Sequence, residues 1–220
     1  MAKSPVSALK PSSMLLTFED EYYSAEISNI AGVDEAGRGP LAGPVVACAI
    51  VLPRAYLNNE VNDSKQLSDR KRRILFQDII AHCLSYGIGI VNPETIDEIN
   101  IYQAAKLAMK IAIGQLDVPV DCIMTDAMPL DGYDVPVYDI IKGDAKVRAI
   151  AAASIVAKVI RDDIMLDFDK RYPEYHFKNN KGYPTKAHLE VLRRRGPIKG
   201  LHRYTYGPVA RCLIEKISLL

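Results

Sequence analysis

Two adjacent acids, Asp34-Glu35, close an apolar run; Asp126 follows Cys122-Ile123-Met124-Thr125, and Asp144 follows Lys142-Gly143 just ahead of an alanine-rich stretch. Carboxylates gathered without partners repel and raise one another's pKa, and a divalent cation relieves this. Hard oxygen donors, with no Cys-x-x-Cys pair and no His/Cys cluster at zinc spacing, point to Mg²⁺ or Mn²⁺. No Ser or Cys sits in a nucleophile elbow, so no covalent nucleophile is on offer. Plainer readings stand beside these: Asp144 as a helix N-cap and Asp126 as a turn residue. Asp34-Glu35 resists one, because two acids ending an apolar strand cost desolvation. Asp117, Asp121, Asp131, Asp134 and Asp139 fall in polar loops and read as surface groups. Of Asp162-Asp163, mid-helix, one could face the acidic site; His176 and His188 read as surface groups or phosphate contacts.

The elements that must carry these acids follow from periodicity. Apolar runs predict strands at Asn29–Asp34, Val45–Leu52, Tyr86–Val91, Asp121–Asp126 and Val137–Ile141. Val45–Leu52 is apolar throughout, so buried on both faces, and the glycines of Tyr86–Val91 suit a strand that something packs against closely. Ser68 caps a helix running to about Cys83, Pro93 starts a short helical turn, and helices follow at Ile101–Leu116, Lys146–Tyr172, Pro184–Arg195 and Pro208–Ile217. No helix separates the first two strands, so the first three form an antiparallel meander with later strands added in parallel: an α/β fold with a mixed sheet of about five strands and a helical C-terminal part. The acids then sit at three strand ends, the usual place for function in open sheets. Adjacent strand residues point to opposite faces, so the chain must bend at Ala36-Gly37 for Asp34 and Glu35 to share a site.

Residues 1–28 read as a poorly ordered arm, and 29–220 as a single domain without repeats. No apolar run approaches the ~18 residues that span a bilayer and no signal-like core precedes the domain, so a cytoplasmic protein without membrane contact is expected, working as a monomer. Cys48, Cys83, Cys122 and Cys212 read as buried small residues or free thiols.

The net charge of +1 hides a split. Between Lys170 and Lys216 the chain carries 12 Lys/Arg and 3 Asp/Glu, a net of +9, and the remainder is net −8. Tyr172, Tyr175, Phe177, Tyr183, Tyr204 and Tyr206 are interleaved with the bases, a pattern that suits a polyanion with stacking bases or sugars. An acidic cluster facing a basic arm is what a metal-dependent nuclease requires.

At this point the chain resembles the ribonuclease HII family. The likeness rests on AGVDEAGRGPLAGPVVACAIVL (Ala31–Leu52), NDSKQLS (Asn62–Ser68), KGDAKVRAIAAASIVAKVIRD (Lys142–Asp162), KGYPTKAH (Lys181–His188) and LHRYTYGPV (Leu201–Val209), in that order. Two departures are visible: Ala152 replaces a different small residue, and Thr125-Asp126-Ala127 stands where bacterial members often read Val-Asp-Gly. The resemblance implies a ribonuclease H-like fold. It also implies hydrolysis of the phosphodiester 5′ of a ribonucleotide, in RNA–DNA hybrids and in DNA with embedded ribonucleotides, leaving 3′-hydroxyl and 5′-phosphate ends. It places the metal-binding, catalytic carboxylates at Asp34, Glu35, Asp126 and Asp144, the 2′-hydroxyl reader at Gly37, Arg38 and Gly39, the ribose-contacting tyrosine at Tyr183, and Asp63, Ser64 and Lys65 near the cleaved strand's phosphates. Two Mn²⁺ or Mg²⁺ ions about 3.5–4 Å apart would activate a water and stabilise the leaving 3′-oxyanion. Asp34 is expected to bridge them, with Asp144 on the side of the attacking water and Glu35 and Asp126 on the leaving-group side. The alternatives are a non-catalytic nucleic-acid-binding module and a related nuclease such as a junction resolvase or ribonuclease HIII; no extra N-terminal substrate-binding domain is expected here, which argues against HIII. The final Ile217-Ser218-Leu219-Leu220 could be a tail that docks on a replication clamp, or a frayed end.

Overall fold

The computed structural model describes residues 18–58, 60, 61 and 67–217. Asp63, Ser64 and Lys65, the first part of the N-terminal arm and Ser218-Leu219-Leu220 lie outside the described residues.

Five strands, β1 (Ile30–Ala36), β2 (Val45–Val51), β3 (Ser85–Val91), β4 (Cys122–Asp126) and β5 (Val137–Ile140), form one mixed sheet in the order β3-β2-β1-β4-β5. β1, β2 and β3 are the antiparallel meander, and β4 and β5 join parallel to β1. Every residue of β2 is buried, because helices cover both faces. On one face lies α2 (Pro93–Ile113), whose Ala104, Ala105, Ala108, Met109 and Ala112 pack on Ala31, Val33, Ala47 and Ala49. On the other lie α1 (Asp69–His82) and α3 (Arg148–Arg171), with Ala149 through Ala153 of α3 against Ile30, Cys48 and Ile50. Small residues let α2 approach β3 so closely that a Cβ on Gly89 or Gly87 would lie 1.8 or 2.1 Å from the Ala108 or Ala112 carbonyl oxygen. The two helical pieces expected around residue 100 are one element with a break. Asn100 adopts φ 67°, and its side-chain oxygen accepts the Tyr102 and Gln103 amides, capping the second piece.

A third apolar cluster joins Leu41, Ala42 and Met165 to the C-terminal elements α4 (Phe177–Asn180), α5 (Lys186–Arg195) and α6 (Gly207–Ile217). It corrects two expectations. Tyr175 and Phe177 are core residues, and Tyr172, Tyr204 and Tyr206 pack against the same cluster, which leaves Tyr183, 43% exposed, as the aromatic open to a ligand. His188 is fully buried, packed edge-on against Phe177.

The arm is corrected as well. From Phe18 onward the chain is packed: Phe18, Tyr22, Tyr23 and Ile27 lie on the α3-side core. Buried Glu19 accepts the Ala149 amide at 3.3 Å and sits 3.7 Å from the Arg148 guanidinium. Val147, the residue preceding α3, has no side chain that can cap; Glu19 supplies that cap from 130 residues away. The four cysteines are free, three of them buried. No helix among the described residues is long and apolar enough to cross a membrane.

Candidate active site

Parallel pairing of β1 with β4 sets Val33 beside Thr125, so Asp34 and Asp126 leave neighbouring strands at the same edge. Asp144 joins them from a 3₁₀ turn, Gly143–Ala145, between β5 and α3. It does not cap α3, which overturns the N-cap reading. The Gly143 amide donates to Asp126 Oδ1 at 2.8 Å and fixes that turn against the end of β4. Asp34, Asp126 and Asp144 each offer a carboxylate oxygen within 4.8 Å of the others. Ala127, directly after Asp126, holds φ 50°, the left-handed region that favours glycine and costs an alanine strain.

Glu35 stands apart from this trio. β1 stays regular through Ala36, paired with Val46, so the bend falls at Gly37, φ 102°, and Glu35 keeps the opposite orientation to Asp34. Its carboxylate still lines the same cleft. Oε1 is 3.3 Å from the Arg38 guanidinium, while Oε2 is buried without a hydrogen-bond partner among the described residues. Burial, then the neighbouring Glu35 charge, pushes the Asp34 carboxyl well above the usual range, against hydrogen bonds from Ser154 and the Glu35 amide. Burial likewise raises Glu35, with Arg38 opposing. An orphaned buried carboxylate oxygen beside three crowded carboxylates fits a divalent cation: positive charge is what the donor set lacks.

The cleft, of about 390 Å³, is lined by Asp34, Glu35 and Asp126, by Gly37, Arg38 and Gly39, and by Tyr183 from the far end of the sequence. Gly37 adopts φ 102°, and a Cβ there would lie 2.1 Å from Arg161 Nε. A Cβ on Gly39 would meet the Tyr183 ring at 3.5 Å. The Leu41 amide donates to the Gly182 carbonyl at 2.8 Å, which draws these two segments together.

A profile of the ribonuclease HII family matches residues 31–209. The chain is 48% identical over 194 residues to ribonuclease HII of Lactobacillus delbrueckii subsp. bulgaricus, covering 88% of this chain and 75% of that protein. The chain belongs to the ribonuclease HII family. Its members are metal-dependent endoribonucleases, and this chain is one. Ribonuclease HII of Acholeplasma laidlawii is 48% identical over 198 residues, covering 90% of this chain and 96% of the relative. Ribonuclease H2 from Pyrococcus horikoshii OT3 superposes with a TM-score of 0.74 at 28% identity, covering 85% of this chain and 98% of the other. The ribonuclease H-like architecture expected from the motifs is therefore the architecture of this chain.

Sequence reasoning passed over Ser154, Lys158 and Arg161, which line the cleft from α3. Their signal was spacing: three polar residues at i, i+4 and i+7 on an alanine-rich helix share one face. Asp162 and Asp163 stay outside the carboxylate trio. Asp162 pairs with Lys158 and, at 3.7 Å, with Arg72; Asp163 pairs with Arg73 at 2.5 Å.

Proposed function

We propose that this chain hydrolyses the phosphodiester on the 5′ side of a ribonucleotide, in RNA–DNA hybrids and in DNA carrying a single ribonucleotide, leaving a 3′-hydroxyl and a 5′-phosphate. One observation carries the reading: the carboxylate trio, the Gly37-Arg38-Gly39 loop and Tyr183 line or border a single cleft although they come from both ends of the chain. Asp34, Asp126 and Asp144 would hold divalent metal, with Glu35 as a fourth ligand through its unpartnered oxygen; hard donors favour Mg²⁺ or Mn²⁺. When bound, two such ions supply the charge that favours an attacking water and a leaving 3′-oxygen.

The chain's own residues do the rest. Ser154 and the Glu35 amide orient Asp34, and Gly143 orients Asp126. Glycines on either side of Arg38 let backbone reach the sugar edge, where the 2′-hydroxyl both donates and accepts and is the group that separates RNA from DNA. The Tyr183 ring packs the neighbouring deoxyribose. Lysines of the adjoining groove, among them Lys158, Lys178 and Lys181, contact phosphates and set position without reading sequence.

The deciding experiment is incubation with a duplex containing one ribonucleotide, in Mg²⁺ or Mn²⁺ and in chelator. Metal-dependent cleavage 5′ of that residue, with the stated ends, is expected. Cleavage of the matched all-DNA duplex at the same rate, or none of the ribonucleotide duplex in either metal, would remove the assignment.

A further inference from the structure

We infer that Arg203, helped by Arg161 and Tyr206, is a positioning residue that sets how the Gly37-Arg38-Gly39 loop meets the ribose. Arg203 is fully buried, and all five of its N–H directions are used. Nη2 donates to the Gly37 carbonyl at 2.6 Å and the Gly43 carbonyl at 2.8 Å, and Nε to Gly43 at 3.1 Å. Nη1 donates to the Arg38 carbonyl and to the Tyr206 hydroxyl, both at 3.0 Å, and that hydroxyl donates in turn to the Arg38 carbonyl at 2.7 Å. One guanidinium thus grips the loop at its start and at its return. Arg161, also buried, holds the carbonyls of Ala42, Pro44 and Lys181, all at 3.1 Å, and so ties the loop to the segment that delivers Tyr183.

Neither guanidinium has a carboxylate within ion-pair distance among the described residues; Asp97 and Asp162 act on them only from farther away. A buried cation answered by carbonyls and one hydroxyl, without a paired carboxylate, is expensive, and an apolar side chain would stabilise the same packing at less cost. What the apolar side chain cannot do is fix peptide planes. No peptide bond of the described chain is cis, and across a trans peptide the carbonyl and the following N–H point opposite ways. Holding the Gly37 and Arg38 carbonyls therefore aims the Arg38 and Gly39 amides away from the guanidinium, as donors from the residues that line the cleft.

This rests on the proposed reading of the loop as the sensor of the 2′-hydroxyl, and the test separates the two. Binding is measured, with Ca²⁺ in place of the reactive metal, to a duplex with one ribonucleotide and to the same duplex with a deoxynucleotide there. The parent, Arg203→Lys and Tyr206→Phe are compared, with thermal melting as the check on folding. Lysine keeps the charge but not the fork, and its preference for the ribonucleotide is expected to fall by about tenfold. Tyr206→Phe removes one hydroxyl from a half-buried side chain, and its preference should fall by about fivefold, the worth of one hydrogen bond. A residue that merely supports the fold would weaken binding to both duplexes equally. A parent without preference defeats the reading of the loop. A parent with preference, beside folded variants that keep it, defeats the role of Arg203. Should Arg203→Lys fail to fold, the Tyr206→Phe ratio decides alone.

Discussion

His188 Nε2 lies 3.1 Å from His202 Nε2, and both rings are buried. The Ile198 amide donates to His202 Nδ1 at 2.9 Å, so the His202 proton is on Nε2 and is given to His188. His188 then carries its own proton on Nδ1 and gives it to the Tyr183 carbonyl, 2.9 Å away. The relay runs in one direction with both rings neutral, and a further proton sets two N–H groups against each other. Burial, then the facing His188, pushes His202 down to about 3, and burial lowers His188 as well.

A depressed histidine pKa means that the unfolded chain binds more protons than the folded one, so stability rises with pH. The contribution is complete above about 6.5 and is lost as pH falls toward about 3. Metal-free melting temperatures should therefore drop steadily from pH 7 to pH 4. The raised Asp34 works in the other direction, gaining stability as it protonates, so the drop should be steeper in an Asp34→Asn background. A melting temperature that is flat across this range in Asp34→Asn would contradict the neutral relay.

Asp34→Asn carries its own prediction. The substitution removes a charge that burial and Glu35 both oppose, so the metal-free variant should melt roughly 3–6 °C higher, the value of about 1–2 kcal/mol in a chain of this size. Cleavage should fall by at least ~10³-fold, and the stabilisation that Mg²⁺ or Mn²⁺ gives the parent should largely vanish. Hybrid binding should survive or tighten, since a polyanion gains from one negative charge fewer. Parent-like turnover or a lower metal-free melting temperature would each count against the crowded-carboxylate account.

Glu19 gives a stability test far from the chemistry. It caps α3 through Ala149 and faces the buried Arg148, two of whose nitrogens have no hydrogen-bond partner among the described residues. Glu19→Ala would leave that guanidinium only the half-exposed Asp20 carboxylate at 3.7 Å and the Tyr56 carbonyl, at a cost approaching the roughly 3–5 kcal/mol of a broken buried pair. A melting temperature at least ~6 °C below the parent's is expected; a change within ~1 °C would mean the N-terminal segment does not hold the helix.

This residue also marks where the sequence stops being legible. The strands, their order of direction and the three acid-bearing strand ends could be read from apolar runs because those runs are short and bounded by turn residues, and because capped helices stand between β2 and β3 and between β3 and β4. Asp34, Asp126 and Asp144 meet as their strand ends require. Glu19 could not be read, because its partners lie 130 positions on and the cap it supplies is missing from the local sequence. The basic, aromatic C-terminal segment misled for a related reason. Composition cannot tell a tyrosine that stacks on a ligand from one that closes a small satellite core, and Tyr175 and Phe177 do the latter. The regular pleat at Glu35 was concealed too, since a Gly at 37 signals a bend without fixing the residue at which it begins.

Lys178 and Lys181 test the docking surface. They line a groove beside the cleft with Arg72, Arg73 and Lys158, and Lys158 borders both. Reversing both lysines to glutamate should weaken hybrid binding at least ~10-fold at low salt and lower the slope of log K against log salt by about 2, one for each phosphate left unneutralised. An unchanged slope would move the duplex elsewhere on the surface.

Tyr183 bears on how the junction between ribose and deoxyribose is read. Its ring is 43% exposed, stands 3.5 Å from where a Cβ on Gly39 would lie, and has its own carbonyl held by His188. On the proposed reading, a ring placed there would cover the sugar next to the one the glycine loop meets, and that sugar lacks a 2′-hydroxyl only when DNA follows the ribonucleotide. In a continuous RNA–DNA hybrid the neighbouring sugar has the hydroxyl, so on the same reading the ring would pack less well and phosphates along the groove would carry more of the binding. Tyr183→Ala should therefore depress cleavage at a single embedded ribonucleotide about tenfold, the worth of one aromatic contact, and cleavage of continuous hybrid less. The measurement is the ratio of the two kcat/KM values in variant and parent. Equal losses on both substrates would leave Tyr183 as a wall of the cleft with no part in telling the junction apart.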